Sequence, residues 1–298
     1  MVSVAIVGAG LAGVSAGRAI QHDGFNVTLF DRGRQIGGRC SSTPPPHRYD
    51  YGAQYAIASD PRFAETLARL EASGDIAPWH GRVVEYTERG CMSQTTLQRY
   101  VGVPSMGRLV EVLAAPLNVL THTRVSTATE SACGWRLLDN DGSNLGEYDT
   151  LLLAMPPEQA RGLVSRETEL LNVLSEFRSV PCWAAMLSFE APLPLEFDGA
   201  RFNRLDITWA SRDSSKPGRE PGERWVVHAA EGWSRARFDV DPVTVGTDLA
   251  DAFLKATAIE CSGPSTVSAH RWGLARVECG SHPVSLRDED IRLSACGD

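Results

Sequence analysis

The chain has 298 residues, a formal net charge of −8, and hydrophobic and charged fractions of 43% and 22%. This length allows two domains, and the composition is that of an ordinary globular protein. The acidic balance argues against a nucleic-acid partner, which requires a basic surface, and no apolar run in the sequence approaches the length of a membrane span.

The cysteines and the N-terminus indicate the compartment. Seven cysteines are scattered without a C-x-x-C pair, a pattern that predicts neither a zinc site nor a disulfide framework. Met1 leads directly into an apolar run without a basic segment, so we expect no signal peptide. A cytoplasmic location fits best, and no metal site and no membrane partner are predicted.

The first part of the chain predicts a β-α-β unit around a glycine-rich turn. An apolar run over 2–7 ends at the sequence GAGLAG, a helical pattern follows, and a second apolar run over 27–30 ends at an acid. In such a unit the glycines permit a tight turn, close approach of a pyrophosphate, and close helix–strand packing. The helix N-terminus offers N–H groups to phosphates, and the acid can accept hydrogen bonds from a ribose. A β-α-β unit without a ligand is the alternative to a dinucleotide site formed by Gly8, Gly10, Leu11, Ala12, Gly13 and Asp31.

A second glycine turn follows the acid, where residues 32–39 read RGRQIGGR. An acid followed by a GGR turn resembles the flavoprotein amine-oxidase superfamily, and the resemblance implies FAD rather than NAD. We place Arg32, Gly38 and Arg39 among the cofactor-binding residues. Gly38 lets the chain pass close to the cofactor, and the planar guanidinium of Arg39 can bind a phosphate through two hydrogen bonds. The alternative is a surface turn with a solvated arginine.

The segment 49–55 narrows the resemblance. It reads YDYGAQY and is similar to the D-x-G-A-Q-Y segment of the renalase family. The resemblance implies a segment beside the flavin ring, with the backbone of Gly52 and Ala53 at the ring edge. Gln54 and Tyr55 would then face the substrate side, and Tyr55 is the better candidate for a substrate contact. A half-buried strand with an exposed tyrosine is the alternative.

The remaining patterns indicate the domain organisation. Asp60-Pro61 and Asp241-Pro242 are helix starts with a capping acid, and 79–101 reads as short strands of a second domain. We predict an α/β fold, a Rossmann-like FAD-binding domain with a mixed-sheet substrate domain as in the amine-oxidase superfamily. The predicted boundaries are 1–75, 105–160 and 270–298 for the first domain, and 76–104 and 161–269 for the second.

Three further cofactor contacts follow from the resemblance. A strand over 119–125 would offer the backbone of Val125 to the adenine. The apolar run 150–155 suits a strand buried on both faces, and Pro156, which stops it, would lie near the cofactor. Gly297 and Asp298 match the Gly-Asp that flavoproteins of this class place near the ribityl chain and the pyrophosphate.

The end of the sequence also enters the resemblance. Relatives continue past the Gly-Asp with a glycine-rich turn and a helix whose N-terminus faces the flavin, and this sequence stops at Asp298. We therefore expect FAD affinity below that of the family and a tendency to associate. The FAD is expected to be non-covalent, because the cysteine that binds flavin in monoamine oxidases belongs to that C-terminal segment.

Two more segments carry the resemblance into the chemistry. WVVHA at 225–229 and HRW at 270–272 are similar to renalase-family stretches. The resemblance implies oxidation of dihydronicotinamide isomers of NAD(P)H by hydride transfer to FAD, with O2 as the acceptor. His228 and His270 would bind the nicotinamide carboxamide or tune the flavin, or each is a buried histidine bonded to a backbone carbonyl. Trp272, with Trp209 and Trp233, would form an aromatic wall for a flat substrate, or each belongs to the core.

Two other functions remain open. The first is an amine or carotenoid-type oxidase of the same fold. The second is a nucleotide-binding protein without turnover. The predicted partners are a small-molecule substrate, either a nicotinamide nucleotide or an amine, and O2. The predicted catalytic residues are Tyr55, His228, His270 and Trp272.

Overall fold

The structure is a computed structural model that describes residues 1–87, 90–94, 96–203, 205–278 and 285–297. The chain divides into two compact units. Unit 1 comprises residues 1–39, 110–179 and 276–298, and unit 2 comprises residues 40–109 and 180–275.

The strands are, in chain order, β1 (Ser3–Val7), β2 (Asn26–Phe30), β3 (Ile76–Pro78), β4 (Val83–Thr87), β5 (Gly90–Gln94), β6 (Tyr100–Gly102), β7 (Asn118–Leu120), β8 (Val125–Ser131), β9 (Gly134–Asp139), β10 (Asn144–Tyr148), β11 (Thr150–Leu153), β12 (Arg178–Phe189), β13 (Gly199–Phe202), β14 (Ile207–Arg212), β15 (Glu223–Ala229), β16 (Thr266–Glu278), β17 (Ser285–Asp288) and β18 (Leu293–Cys296). The helices are α1 (Leu11–His22), α2 (Pro61–Ala72), α3 (Gly107–Ala114), α4 (Pro157–Arg161), α5 (Glu169–Leu174), α6 (Glu231–Ala236) and α7 (Pro242–Thr257).

Both predicted capped helices are present. Asp60 accepts a hydrogen bond from the N–H of Arg62 at the start of α2, and proline occupies the first helical position. Asp241 does the same for α7, accepting from the N–H groups of Val243 and Thr244. An acid at this position satisfies backbone donors that the helix itself leaves unpaired.

The described part of the chain contains no helix that is long and apolar enough to cross a bilayer.

Unit 1 is built on a six-stranded sheet in the order β17-β18-β11-β1-β2-β7. All neighbours are parallel except the edge pair β17 and β18. Residues 4–7 of β1 are all buried, the continuous pattern of a parallel strand covered on both faces. A three-stranded antiparallel sheet, β10-β9-β8, belongs to the same unit. The fold of this unit is Rossmann-like, as the β-α-β pattern predicts.

Unit 2 is built on a seven-stranded mixed sheet in the order β16-β12-β15-β14-β13-β4-β5. Strands β13 and β4 are parallel, whereas β12, β15, β14 and β13 pair antiparallel in succession. One face of this sheet packs against the buried side chains of α6 and α7 to form the core of the unit. The opposite face is the one that bears the candidate site.

The predicted domain boundaries differ from the two units at residues 40–75, 105–109, 161–179 and 270–275. Residues 40–75 lie in unit 2, because Ala56 forms a bridge with Tyr100 and Tyr49 packs against Met186 and Val226 of the unit 2 sheet. Residues 161–179 lie in unit 1, because α5 packs into the core of that unit. Assignment of the units to FAD and substrate stays a prediction.

Candidate functional site

The glycine turn of unit 1 contains Gly8, Gly10 and Gly13, and we call it the glycine cradle. Two of these glycines are tightly packed, and the third leaves open space. Gly8 has a φ of +110°, and a Cβ there would lie 2.2 Å from the carbonyl oxygen of Ala154. A Cβ on Gly13 would lie 2.0 Å from the carbonyl oxygen of Gly8. A Cβ on Gly10 would meet only the Gly37 carbonyl oxygen, at 4.0 Å. Gly8 and Gly13 are therefore required by packing, whereas Gly10 leaves space above the backbone that a ligand can use.

The first turn of α1 is free to bind an anion. Gly10 is the N-cap residue of α1 and makes no side-chain capping hydrogen bond, and no acidic residue lies in the first turn. The N–H groups at the start of the helix, including those of Leu11 and Ala12, are left without intrahelical partners by the geometry of any α-helix. The positive end of the helix dipole adds to their preference for a phosphate.

Asp31 connects the glycine turn to the second turn. Its carboxylate accepts hydrogen bonds from the N–H of Ala9 at 2.9 Å and the N–H of Gly33 at 2.7 Å. Its carbonyl oxygen accepts from the N–H of Thr123 at 2.9 Å. A carboxylate oxygen has more than one acceptor direction, so these two bonds leave room for a ribose hydroxyl.

The GGR turn packs onto the glycine cradle. Gly37 forms a bridge with Gly10 and donates its N–H to the carbonyl of Ala9 at 3.0 Å. A Cβ on Gly38 would lie 3.6 Å from the Cα of Gly10. Arg39 is half-buried in the short 3₁₀ turn that follows, and Arg32 is exposed.

The other predicted cofactor residues lie on different elements. The predicted strand over 119–125 is wrong as a single strand, because β7 ends at Leu120 and His122 has a φ of +53° that breaks the extended chain. Val125 begins β8 in the separate antiparallel sheet. Pro156 caps α4 two residues after Ala154, the neighbour of Gly8. Asp298 lies outside the described residues. Unit 1 thus brings together Gly8, Gly10, Leu11, Ala12, Gly13, Asp31, Gly38 and Pro156.

In unit 2 the D-x-G-A-Q-Y segment lies across the sheet face opposite the core. Arg201, Trp209 and His228 stand in register on β13, β14 and β15, so their side chains share this face. The carbonyl of Tyr51 bonds the ring of His228, and the phenol of Tyr55 bonds Arg201. The segment therefore covers this row of side chains.

A buried four-charge network anchors the start of this segment. Lys216 is fully buried and places its Nζ 3.1 Å from a carboxylate oxygen of Asp50 and 2.8 Å from one of Asp213. Arg219, with a side chain 1% exposed, bonds the same oxygen of Asp50 at 2.5 Å. The other oxygen of Asp50 accepts from the N–H of Met106 at 2.9 Å. Two acids and two bases thus balance one another without solvent, as buried charges require.

The two acids of the network differ in their pKa. Burial tends to raise the pKa of Asp50, but the charges of Lys216 and Arg219 outweigh it, so this pKa lies below its ordinary value. Burial raises the pKa of Asp213 above its ordinary value, and the nearby charge of Asp50 adds to the increase. The network therefore favours the ionised form of Asp50 more strongly than that of Asp213.

Gln54 is part of this network. Its side-chain oxygen accepts hydrogen bonds from Ser211 at 2.6 Å and from Lys216 at 3.2 Å, and its nitrogen donates to the carbonyls of Asp50 and Gly52. The side chain is 7% exposed. It therefore points into the protein and not towards a substrate as predicted. The predicted cofactor contacts of Gln54, Gly52 and Ala53 would therefore be made by backbone atoms, and they stay predictions.

Three aromatic rings form a group at the β16 side of the face. Tyr51 is stacked on Trp272 with ring centroids 5.0 Å apart and planes inclined by 17°, and the Trp272 indole donates to the Tyr51 carbonyl at 3.0 Å. His270 meets both rings edge-on, at 4.8 Å and 4.7 Å. Partial burial lowers the pKa of His270 and raises that of Tyr51. At neutral pH His270 is therefore an uncharged ring beside two aromatic neighbours.

His228 matches the alternative in which a half-buried histidine bonds a backbone carbonyl. Its Nε2 lies 3.1 Å from the carbonyl oxygen of Tyr51. Burial lowers the pKa of His228 to about 4, opposed by this hydrogen bond and assisted by the positive charge of Lys216. The ring is therefore uncharged at neutral pH and positions the segment above it.

We expect acid to weaken the fold through His228. Its pKa is about 4 in the folded chain against an ordinary 6.5, so between these values the unfolded chain binds a proton that the folded chain does not. Stability should therefore fall as the pH falls through this interval, by about 3 kcal/mol for a shift of this size. Urea unfolding of the wild type and His228→Gln from neutral pH to pH 4 measures this. Glutamine keeps an N–H donor for Tyr51 but does not titrate, so the variant should lose less stability, and equal losses would contradict the assignment.

Tyr55 lies among aromatic and cationic neighbours at the β13 side of the face. Its ring centroid is 5.5 Å from that of Trp209 and 6.4 Å from that of Trp79. Its hydroxyl accepts a hydrogen bond from Arg201 at 2.9 Å. Trp233, by contrast, lies on α6 in the core on the opposite face, so the predicted aromatic wall does not include it.

The sequence pattern did not identify the network residues Asp213, Lys216 and Arg219. They lie in the stretch 211–222, whose prolines, glycines and mixed charges predict an exposed polar loop. A weak signal was present, because an acid and a lysine three residues apart can pair with each other. No cluster of residues suited to metal binding occurs within the described ranges, and Cys133, Cys261 and Cys296 are thiols that form no disulfide.

Comparisons with known proteins agree with this architecture. Residues 6–70 match the model of the NAD(P)-binding Rossmann-like domain. A 41-residue segment is 49% identical to an Arabidopsis thaliana protein named as flavin-containing monooxygenase FMO GS-OX-like 10, and it covers 14% of this chain and 9% of that protein.

Two solved structures are similar over nearly the whole chain. One is described as a protoporphyrinogen oxidase from Exiguobacterium sp. 255-15, with a TM-score of 0.79 and coverage of 99% of this chain and 93% of that one. The other is cyclohexylamine oxidase from Brevibacterium oxydans IH-35A, with a TM-score of 0.73 and the same two coverages. Each is 12% identical to this chain, so the similarity establishes the fold.

Proposed function

We propose that the chain is an FAD-dependent oxidoreductase that holds its cofactor without a covalent bond. The glycine cradle of unit 1 supports this, because Gly10 leaves open space beside an uncapped helix start. The N–H groups of α1 would bind the pyrophosphate, and Asp31 would bind a ribose. Bound FAD would supply a two-electron acceptor that the side chains of the chain cannot provide.

We further propose that the substrate is a dihydronicotinamide isomer of NAD(P)H other than the ordinary one. In the overall reaction the substrate, O2 and a proton give NAD(P)⁺ and hydrogen peroxide. The observation that carries this proposal is the aromatic group of Tyr51, Trp272 and His270 on the unit 2 face, which suits a flat ring. The pKa values of His228 and His270 lie below the ordinary one, so neither histidine is a strong base. An electron-rich dihydropyridine gives up a hydride without first losing a proton, so it does not require a strong base.

The side chains of unit 2 would then bind and orient the substrate. The Tyr51, Trp272 and His270 rings would contact the flat nicotinamide and exclude water from it. His228 would act as a positioning residue by fixing the Tyr51 carbonyl. Tyr55 would donate its hydroxyl proton to a polar group of the substrate. A cytoplasmic location belongs to this proposal, and the thiols of Cys133, Cys261 and Cys296, which form no disulfide, agree with it.

Anaerobic mixing of the flavin-bound protein with candidate substrates tests the proposal. We expect the 2- and 6-dihydro isomers of NAD(P)H to bleach the flavin absorbance, and ordinary NAD(P)H, cyclohexylamine and putrescine to leave it nearly unchanged. Tyr55→Phe and His270→Ala should each slow the bleaching, because each removes a proposed substrate contact. If an amine bleaches the flavin fastest, the protein is an amine oxidase, the function of the similar solved structure from Brevibacterium. If neither class reacts, the oxidase proposal fails.

A further inference from the structure

A second group of side chains on the unit 2 face is rich in hydrogen-bond donors and positive charge. We call it the Tyr55 cluster and define it as Tyr55, Trp79, Trp209, Arg99 and Arg201. The guanidinium carbon of Arg99 lies 5.2 Å from the centre of the Tyr55 ring, and that of Arg201 lies 5.9 Å from the centre of the Trp209 ring. Arg99 is buried, whereas Arg201 is exposed and can reach a ligand.

After the hydrogen bonds within the Tyr55 cluster are made, the groups that remain available to a ligand are hydrogen-bond donors and not acceptors. Arg201 donates to the phenolic oxygen of Tyr55, so the hydroxyl proton of Tyr55 is directed to another partner. A guanidinium carries five N–H donors, and this bond uses one of those of Arg201. The buried indole N–H of Trp209 has no acceptor among the described residues. A ligand that satisfies this group must supply acceptor oxygens.

The charges around the cluster favour an anion. Arg201 supplies the accessible positive charge of the cluster, whereas Lys216, whose Nζ lies 5.9 Å from the centre of the Trp79 ring, is already neutralised by Asp50 and Asp213. In the part of the chain that the structure describes, Arg201 makes no ion pair, although Glu85 stands opposite it in register on β4. A protonated amine would meet like charge here, whereas a phosphate would meet a guanidinium suited to bind two of its oxygens.

We propose that the Tyr55 cluster binds a phosphate group of the nucleotide substrate, with Arg201 and the hydroxyl of Tyr55 as its donors. The identity of the nucleotide rests on the proposed function. Binding of the phosphate itself rests on the donors and charges of the cluster. The cluster thereby selects nucleotides over nucleosides and amines.

Calorimetric titration of the flavin-bound protein with two oxidised ligands tests this proposal without turnover. Nicotinamide mononucleotide carries the phosphate, and nicotinamide riboside lacks it. In phosphate-free buffer of low ionic strength we expect the mononucleotide to bind about tenfold or more tightly, as charge-assisted hydrogen bonds to a phosphate allow. Arg201→Ala should remove this preference, Arg201→Lys should keep part of it, and Tyr55→Phe should reduce it. Inorganic phosphate should compete with the mononucleotide in the wild type but not in Arg201→Ala.

Arg271→Ala is the matched control. Arg271 is also an exposed arginine of unit 2 that packs on an aromatic ring, with its guanidinium carbon 4.2 Å from the centre of the Phe238 ring. This variant should keep the preference for the mononucleotide. Equal affinity of the wild type for both ligands, or equal losses in Arg201→Ala and Arg271→Ala, would overturn the proposal. Turnover of dihydronicotinamides without a phosphate preference would leave the proposed reaction standing and remove only the phosphate site. A phosphate preference without turnover would leave the phosphate site standing and remove the proposed reaction.

Discussion

Replacing Lys216 with methionine should lower the free energy of unfolding by about 3–5 kcal/mol, the cost of breaking a buried ion pair by removing one partner. The Lys216 side chain is fully buried between Asp50 and Asp213. Its loss would leave these two carboxylates with Arg219 as the remaining cation of the network, so one negative charge would be uncompensated. Urea unfolding of the wild type and the variant at neutral pH measures the difference.

Two control variants test whether the uncompensated charge causes the loss of stability in Lys216→Met. The double variant Lys216→Met with Asp213→Asn leaves Asp50 paired with Arg219, so we expect it to recover part of the stability that the single variant loses. Lys255, the other lysine of the sequence, is exposed in the last turn of α7, and Lys255→Met should change stability by less than about 1 kcal/mol. If Lys216→Met behaved like Lys255→Met, the network would not hold the segment above the sheet.

The β-α-β unit could be predicted from the sequence because its determinants are local. A short apolar strand, a glycine turn and an acid closing the next strand are all contained in the first 31 residues. The same holds for α2 and α7, where Asp60 and Asp241 cap the helix that begins one residue later. In each case the residues that define the element are also its immediate neighbours in space.

The charged network could not be predicted, because its partners are far apart in the chain. Lys216 reaches Asp50 over a separation of 166 residues, and this contact together with the one to Asp213 makes burial of the lysine possible. Taken alone, the stretch 211–222 has the composition of a solvated loop.

Hydropathy also does not say which face of a sheet a tryptophan occupies. Trp209 faces the candidate site because it stands in register with Arg201, whereas Trp233 faces the core from α6.

Alanine at Gly13 should prevent unit 1 from folding normally, whereas alanine at Gly10 should spare the fold and remove the cofactor. A Cβ on Gly13 would lie 2.0 Å from the carbonyl oxygen of Gly8, a backbone atom that cannot move without separating α1 from β1. A Cβ on Gly10 has nothing nearer than the Gly37 carbonyl oxygen at 4.0 Å, yet it occupies the place where a pyrophosphate would approach. We expect Gly10→Ala to lower FAD affinity by at least about tenfold, or 1.4 kcal/mol, with little change in melting temperature.

Flavin content after purification, FAD titration and thermal melting of the flavin-free protein distinguish the two effects. Gly162→Ala is a suitable control in the same unit, since its Cβ would lie 3.8 Å from the nearest atom and its φ of −80° is ordinary for alanine. That variant should match the wild type in both flavin content and melting temperature. Gly10→Ala with full flavin would place the cofactor away from the glycine cradle and remove the main support for the proposed oxidoreductase. Gly13→Ala with an unchanged melting temperature would show instead that α1 and β1 can separate at little cost, and the tight packing at Gly13 would then not limit the stability of unit 1.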